Sequence, residues 1–230
     1  DFVFVPGASC FEGVRGLFGG TAARLVVPGS RALEIDEGLG ERAALLALAA
    51  TAHHALAASE SKGPELIVGH GVLGRLLARL ASIERGEAPV VWERDPGRRQ
   101  AVSGYRVLDP RDDTRRDYAA IFDVSGDASL LDELIGRLAP RGEIVLAGFY
   151  SDALSFRFPP AFLREARLRV AAEWTPADLA AVKEKVESGL LSLDGLVTHR
   201  ESALNAPAAY ETAFTDSACL KMILDWRSVR

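Results

Sequence analysis

The chain is poor in sulfur. Its 230 residues hold two cysteines, Cys10 and Cys219, and one methionine. Two distant cysteines form neither a disulfide framework nor a zinc-ribbon spacing; a reducing, cytoplasmic setting is the simplest expectation. No stretch reaches the roughly 18 uncharged apolar residues of a membrane span, and no signal peptide is legible. The alanine-rich run 42–58 comes nearest, but His53 and His54 interrupt it, so it reads as a buried helix. Excess positive charge is missing too. The net charge is −5 with the basic residues dispersed, which leaves no electrostatic footprint for nucleic acid. What remains is ordinary globular composition, 48% apolar and 26% charged, with length for one or two domains.

The most informative stretch is Glu65 to Leu80, ELIVGHGVLGRLLARL. Leu66-Ile67-Val68 suits a buried strand. Gly69, Gly71 and Gly74 follow as G-x-G-x-x-G, and Val72, Leu73, Leu76, Leu77 and Leu80 then recur at helical spacing. Strand, tight turn and helix in that order form the context of a dinucleotide fingerprint. Gly69 allows the turn, Gly71 lets a pyrophosphate approach the backbone, and Gly74 lets helix pack on strand. The backbone of His70, Gly71, Val72, Leu73 and Gly74 would then meet the phosphates, helped by the helix dipole.

The next apolar run, Pro89 to Trp92, ends at Glu93, nineteen residues after Gly74. An acid there accepts hydrogen bonds from the adenosine ribose, which favours NAD; a merely solvated strand-end Glu is the plain alternative. Arg94, Arg98 and Arg99 follow at once. They suit the 2′-phosphate of NADP or stacking on adenine, but Glu93 would repel that phosphate, so NAD is expected.

Residues 1–36 read as β-rich, with strands over 2–5 and 22–27 and a turn at Gly19-Gly20. A helix is expected over 41–58. Strand–helix alternation then predicts an α/β doubly wound parallel sheet, a Rossmann arrangement, with strands over 65–68, 89–92, 105–108, 119–124 and 142–147. The helices between them are expected over 72–84, near 112–117 and over 127–138, with a short turn near 96–100. Asp127 is placed to cap the last helix. Beyond Gly148 the pattern predicts a strand over 153–158, a short helix from Pro159-Pro160 to Glu165 and a strand over 167–172. A helix capped by Thr175 should run to about Ser188. Residues 193–199 read as irregular, 206–214 as helix and 219–226 as a last strand.

This order resembles the medium-chain dehydrogenase/reductase superfamily. The resemblance rests on Arg15 to Gly20, Leu46 to Ala52, Ile67 to Gly71, Ala171 to Trp174, Leu191 to His199 and Ala218 to Trp226, which span nearly the whole chain. It implies part of a GroES-like β lobe over 1–40, a Rossmann domain over 41–190 and a segment over 191–230 returning to the lobe. It also implies about eighty further residues upstream, a domain-scale length. These stretches look most like the superfamily members of bacteriochlorophyll synthesis. That implies oxidation of the 3-(1-hydroxyethyl) group of a bacteriochlorophyllide, a large flat tetrapyrrole, to 3-acetyl with NAD+. A quinone or enoyl reductase using NADPH, or a non-catalytic nucleotide or tetrapyrrole binder, is the competing reading.

In zinc-dependent relatives a Cys ligand stands where this chain has Ala47, so the resemblance implies chemistry without a metal. Thr51 is expected beneath the nicotinamide. His54, three residues on, shares its helix face and is a candidate base, with a structural histidine as the plainer reading. Ser125 and Gly126 close the fourth strand, and Gly148 and Phe149 the fifth, where ribose and nicotinamide would approach. Tyr150 is a candidate proton donor or packing residue. Phe11, Phe18 and Phe149 are candidate walls for the macrocycle, with Arg15 or Arg24 for its carboxylate. The edge at 167–172 could pair two copies into a homodimer.

Overall fold

The computed structural model describes residues 1–7, 21–57, 63–100 and 104–229. Phe11, Arg15, Phe18, Cys10, the Gly19-Gly20 turn and the expected helix end at Ala58 lie outside them. The chain divides into two compact units, Asp1–Ala47 with Leu193–Arg230, and Leu48–Ser192.

In the first unit β1 (Val3–Phe4) pairs antiparallel with β2 (Leu33–Glu34). The strand expected over 22–27 does not form. Its alternation buries nothing on one side, and Val26 is 84% exposed. The helix expected from Glu41 starts as a 3-10 segment, Glu37–Leu45, broken by Gly40 at φ +52°. True α geometry begins with α1 (Leu46–Ala57), whose residues from Leu48 on belong to the second unit.

The second unit is built on a six-stranded parallel sheet. Its strands are β3 (Leu66–Val68), β4 (Val90–Trp92), β5 (Arg106–Leu108), β6 (Tyr118–Asp123), β7 (Leu138–Leu146) and β8 (Arg167–Val170). They lie in the order β5-β4-β3-β6-β7-β8. Leu66, Ile67 and Val68 are all buried, as a central strand covered on both faces requires. The order reverses at β3. Connections leaving β3 and β6 therefore diverge at the carboxyl ends of the strands and open a crevice there.

Helix α2 (Val72–Arg85) buries Val72, Leu76, Leu77 and Leu80 and stops at Gly86, whose φ of +72° closes the last turn. The helix expected over 127–138 begins as a 3-10 turn at Ala128–Leu130, with α3 covering Leu131–Arg137. Asp127 does cap that turn, accepting from the Ser129 amide at 3.0 Å.

Two expectations fail here. Residues 112–117 form no α-helix; a 3-10 turn at Pro110–Asp112 gives way to chain without regular structure. The Asp113 carboxylate is drawn inward, taking the Trp92 indole N–H and the Tyr118 hydroxyl, both at 2.6 Å, and that anchor competes with helix. Residues 153–157 form no strand either. The Arg157 amide and guanidinium donate to Asp132 of α3 instead of to a ladder, and α4 (Phe158–Arg164) starts at once with prolines in its first turn. Helix α5 (Pro176–Glu187) opens on a full capping box between Thr175 and Asp178.

The first unit resumes with β9 (His199–Ser202), α6 (Ala206–Thr215) and β10 (Met222–Asp225). β9 and β10 pair in parallel, a small strand–helix–strand unit. The polar sequence His-Arg-Glu-Ser hides β9 from periodicity. Among the described residues no helix is long and apolar enough to cross a membrane.

Candidate functional site

The crevice at β3 and β6 holds a cavity of about 300 Å³. Of the residues singled out from sequence, Gly69, His70, Gly71, Glu93, Arg94, Arg98 and Ser125 line it. Asp127, Trp92, Leu130 and Glu133 line it too; sequence reading assigns Asp127 only a capping role and gives the other three none.

The glycines earn their places differently. Gly69 has φ +102°, and a Cβ there would sit 3.1 Å from Ser125 Cα. A Cβ on Gly74 would lie 2.0 Å from the Gly69 carbonyl oxygen, so helix and turn touch backbone to backbone. A Cβ on Gly71 would meet nothing within 4 Å. The packing of the fold does not need glycine at 71, and its bareness leaves the backbone open to approach. The turn is stitched to its neighbours by Gly69 N–H to Trp92 O at 3.0 Å and Val124 N–H to Val68 O at 2.9 Å. α2 begins immediately after Gly71, where first-turn N–H groups lack intrahelical acceptors.

Glu93 stands at the end of β4, half-buried. Its Oε2 accepts from the His70 amide at 3.2 Å and its Oε1 from the Asp95 amide at 2.9 Å. Each carboxylate oxygen keeps capacity for a second donor, so the acid is fixed yet still able to accept ribose hydroxyls. Arg94 is largely exposed and reaches Asp127 at 3.3 Å. Arg99 is turned to the scaffold: it donates to the Glu93 and Arg94 carbonyls and to Asp109. These residues fit the adenosine and diphosphate parts of a dinucleotide.

His70 does not point to solvent. Its side chain is fully buried, with Nδ1 2.7 Å from the Arg98 carbonyl and Nε2 2.9 Å from the Tyr105 hydroxyl. Burial, seconded by the charges of Arg75, Arg79 and Arg98, lowers its pKa to about 4 despite the bond to the Arg98 carbonyl. The ring is neutral at pH 7.

At the end of β6, Ser125 donates through its hydroxyl to Asp123 Oδ1 at 2.6 Å and accepts from the Asp127 amide at 3.1 Å. Burial raises the pKa of Asp123, and the Ser125 donors oppose that rise. Gly126 and Gly148 pack together: a Cβ on Gly148 would be 3.1 Å from Gly126 N, and one on Gly126 would be 2.9 Å from Phe149 O. The Phe149 ring is 85% exposed. Tyr150 donates its hydroxyl to the Asp123 carbonyl at 3.2 Å. Burial, joined by Asp123, pushes its pKa well up.

Thr51 and His54 do not line this cavity, nor do Val72, Leu73 and Gly74. His54 Nδ1 is 2.9 Å from Asp178 Oδ2, and His53 Nδ1 is 3.0 Å from Asp178 Oδ1. The same carboxylate accepts from the Thr175 amide and hydroxyl. Burial alone would raise the pKa of Asp178, but these donors outweigh it and hold the group ionised well below the usual range. Two adjacent histidines thus tie α1 to α5. Among the described residues no three His, Cys, Asp or Glu side chains gather as a metal site.

No protein-family model matches the chain. A solved galactitol-1-phosphate dehydrogenase from Escherichia coli superposes with TM-score 0.76 at 16% identity, over 90% of this chain and 67% of that one. An acetophenone reductase from Geotrichum candidum, solved in complex with NAD, superposes with TM-score 0.74 at 20% identity, over 87% of this chain and 61% of that one. These likenesses are of fold. A much nearer relative is the 2-desacetyl-2-hydroxyethyl bacteriochlorophyllide A dehydrogenase of Rhodobacter capsulatus, 58% identical over 231 residues. The match covers 100% of this chain and 74% of the relative. By that identity and coverage, the chain belongs to the family of 2-desacetyl-2-hydroxyethyl bacteriochlorophyllide A dehydrogenases.

Proposed function

We propose that this chain carries out the NAD+-dependent oxidation of the hydroxyethyl group of a bacteriochlorophyllide to acetyl. Family membership carries the reaction and the tetrapyrrole substrate. A nicotinamide dinucleotide is the cofactor. It supplies the hydride acceptor when bound. The choice of NAD+ rests on Glu93, which the backbone amides of His70 and Asp95 hold at the end of β4. A carboxylate held there accepts ribose hydroxyls and repels a 2′-phosphate. Arg94 and Arg98 on the same wall are the one observation favouring NADP+.

The chain's own residues have three tasks. Gly69, Gly71 and Gly74 bring the backbone of 70–74 against the diphosphate, and Ser125, Gly126, Gly148 and Phe149 form the approach to ribose and ring. The third task is to accept the hydroxyl proton. His54 is the candidate: a carboxylate only accepts, so Nδ1–H donates to Asp178 and leaves Nε2 as a base. Thr51 lies one turn earlier on the same helix and would steer the ring. Tyr150 holds the end of β6 through the Asp123 carbonyl. We read the reaction as metal-free because Ala47 offers no ligand.

The exposed edge of β8, with Leu168 and Val170, and the exposed Phe158, Phe162 and Leu163 of α4 support a homodimer formed on this face. We place the enzyme in the cytoplasm. The test is full-length protein with hydroxyethyl bacteriochlorophyllide and NAD+. A substrate-dependent absorbance rise from NADH supports the reading. Absence of turnover with both NAD+ and NADP+ overturns it, and stoichiometric zinc in active enzyme overturns its metal-free part.

A further inference from the structure

Three side chains meet behind the glycine turn. The Arg98 carbonyl receives both His70 Nδ1 at 2.7 Å and Arg75 Nη2 at 3.0 Å. Arg75 Nε also donates to the His70 carbonyl at 3.1 Å. A carbonyl has two lone pairs, so the Arg98 oxygen is saturated. It cannot donate, so the hydrogen of the bond lies on His70 Nδ1. In the neutral ring Nε2 is then bare and accepts the Tyr105 O–H at 2.9 Å. The two rings meet edge to face with centroids 5.6 Å apart. Both ring nitrogens of the imidazole are therefore satisfied.

The main chain of His70 extends the network. Its N–H donates to Glu93 Oε2, and it lies inside the phosphate turn itself. One residue therefore touches four things: the turn, the acid at the end of β4, the loop carrying Arg98, and Tyr105 at the entry to β5. A half-buried polar network centred on a buried histidine restrains its members toward one arrangement. Glu93 and Arg98 both line the cavity, and both hang from this network.

We infer that His70, Arg75 and Tyr105 are positioning residues that lock the 95–100 loop and Glu93 into register with the glycine turn, setting affinity for the adenosine half of the cofactor. Their side chains act through Arg98 and Glu93. This rests on the dinucleotide reading above and adds a division of labour to it. The clasp governs how tightly the adenosine end is held, and hydride transfer proceeds at its own rate once the cofactor is seated.

The experiment is calorimetric titration of full-length protein with NAD+ and with ADP-ribose, which lacks the nicotinamide, alongside steady-state turnover. Tyr105→Phe deletes one hydroxyl and strands Nε2; His70→Ala removes the hub; His70→Gln keeps one donor and one acceptor. Tyr105→Phe and His70→Ala should weaken both ligands by the same factor, roughly five- to twentyfold, the size of one or two hydrogen bonds. In Tyr105→Phe the kcat at saturating NAD+ should stay within about twofold, and His70→Gln should recover part of the affinity lost in His70→Ala. Unchanged affinity in folded Tyr105→Phe, or a fall in kcat with affinity intact, overturns the inference. If His70→Ala does not fold, Tyr105→Phe decides alone. Wild-type protein that binds neither ligand overturns the dinucleotide reading, and the inference with it.

Discussion

The turn between β3 and α2 and the end of α1 both carry chemistry-bearing residues, and they are built on opposite terms. At the turn, side chains are withheld. Gly69 and Gly74 are glycine because backbone presses on backbone, while Gly71 has open space beside it. At α1, side chains are present and already committed. His53 and His54 share the two oxygens of Asp178, which also caps α5. The first region owes its capacity to emptiness, the second its rigidity to occupied partners. A glycine that nothing crowds is therefore better evidence of a ligand than a histidine that something holds.

The largest effects should separate the two kinds of glycine. Gly74→Val drives a side chain into the Gly69 carbonyl. It should cost several kcal/mol of stability, on the scale of overpacking or worse, and abolish cofactor binding. Gly71→Ala should leave the melting temperature within about 2 °C, since its Cβ meets nothing, yet weaken NAD+ about tenfold or more by occupying the approach to the backbone. If both properties fell together in Gly71→Ala, that glycine would be a packing residue like its neighbours.

Asp178→Ala probes the other side. It removes the Asp178 half of the capping box and two charge-assisted bonds, an expected loss of about 2–4 kcal/mol by denaturant unfolding. If His54 is the base that Asp178 orients, kcat should fall beyond what lost folded protein explains, with NAD+ affinity unchanged. A loss of stability alone would make the histidine pair purely structural.

His70 links the comparison to pH. Its folded pKa is depressed from 6.5 to about 4. The unfolded chain therefore binds the proton more readily. The contribution is full above about pH 6.5 and is lost as pH falls through about 4, up to about 3 kcal/mol. Unfolding free energies at pH 7.5 and pH 5 should differ more for wild type than for His70→Gln. The smallest effect is expected at Tyr150→Phe. Losing one hydrogen bond to the Asp123 carbonyl should cost about 1 kcal/mol and leave kcat within about twofold; a fall of a hundredfold would make Tyr150 a proton donor.

Much of this was legible in sequence because it is local. The apolar runs read over 65–68, 89–92 and 119–124, the spacing of α2, and the acid at Glu93 are all short-range patterns. The two capping signals, Asp127 and Thr175, also held. What escaped is long-range or polar. β9 is hidden because its four residues are not apolar. Residues 112–117 look helical until Asp113 is seen reaching Trp92 and Tyr118. At the site, the glycines could be read but the contacts of His70 could not. Its partner Tyr105 lies 35 residues away, and Asp178 lies 124 from His54. No periodicity encodes such pairings. The bond from the Tyr150 hydroxyl to the Asp123 carbonyl is equally invisible to pattern.

The most direct measurement is titration of full-length protein with NAD+ and NADP+ in parallel, for wild type and Glu93→Gln. Wild type should prefer NAD+ by about tenfold or more, and Glu93→Gln should narrow that gap by relieving repulsion of the 2′-phosphate. Equal or tighter binding of NADP+ by wild type would contradict the role given to Glu93. Binding of neither would contradict the assignment of the crevice itself.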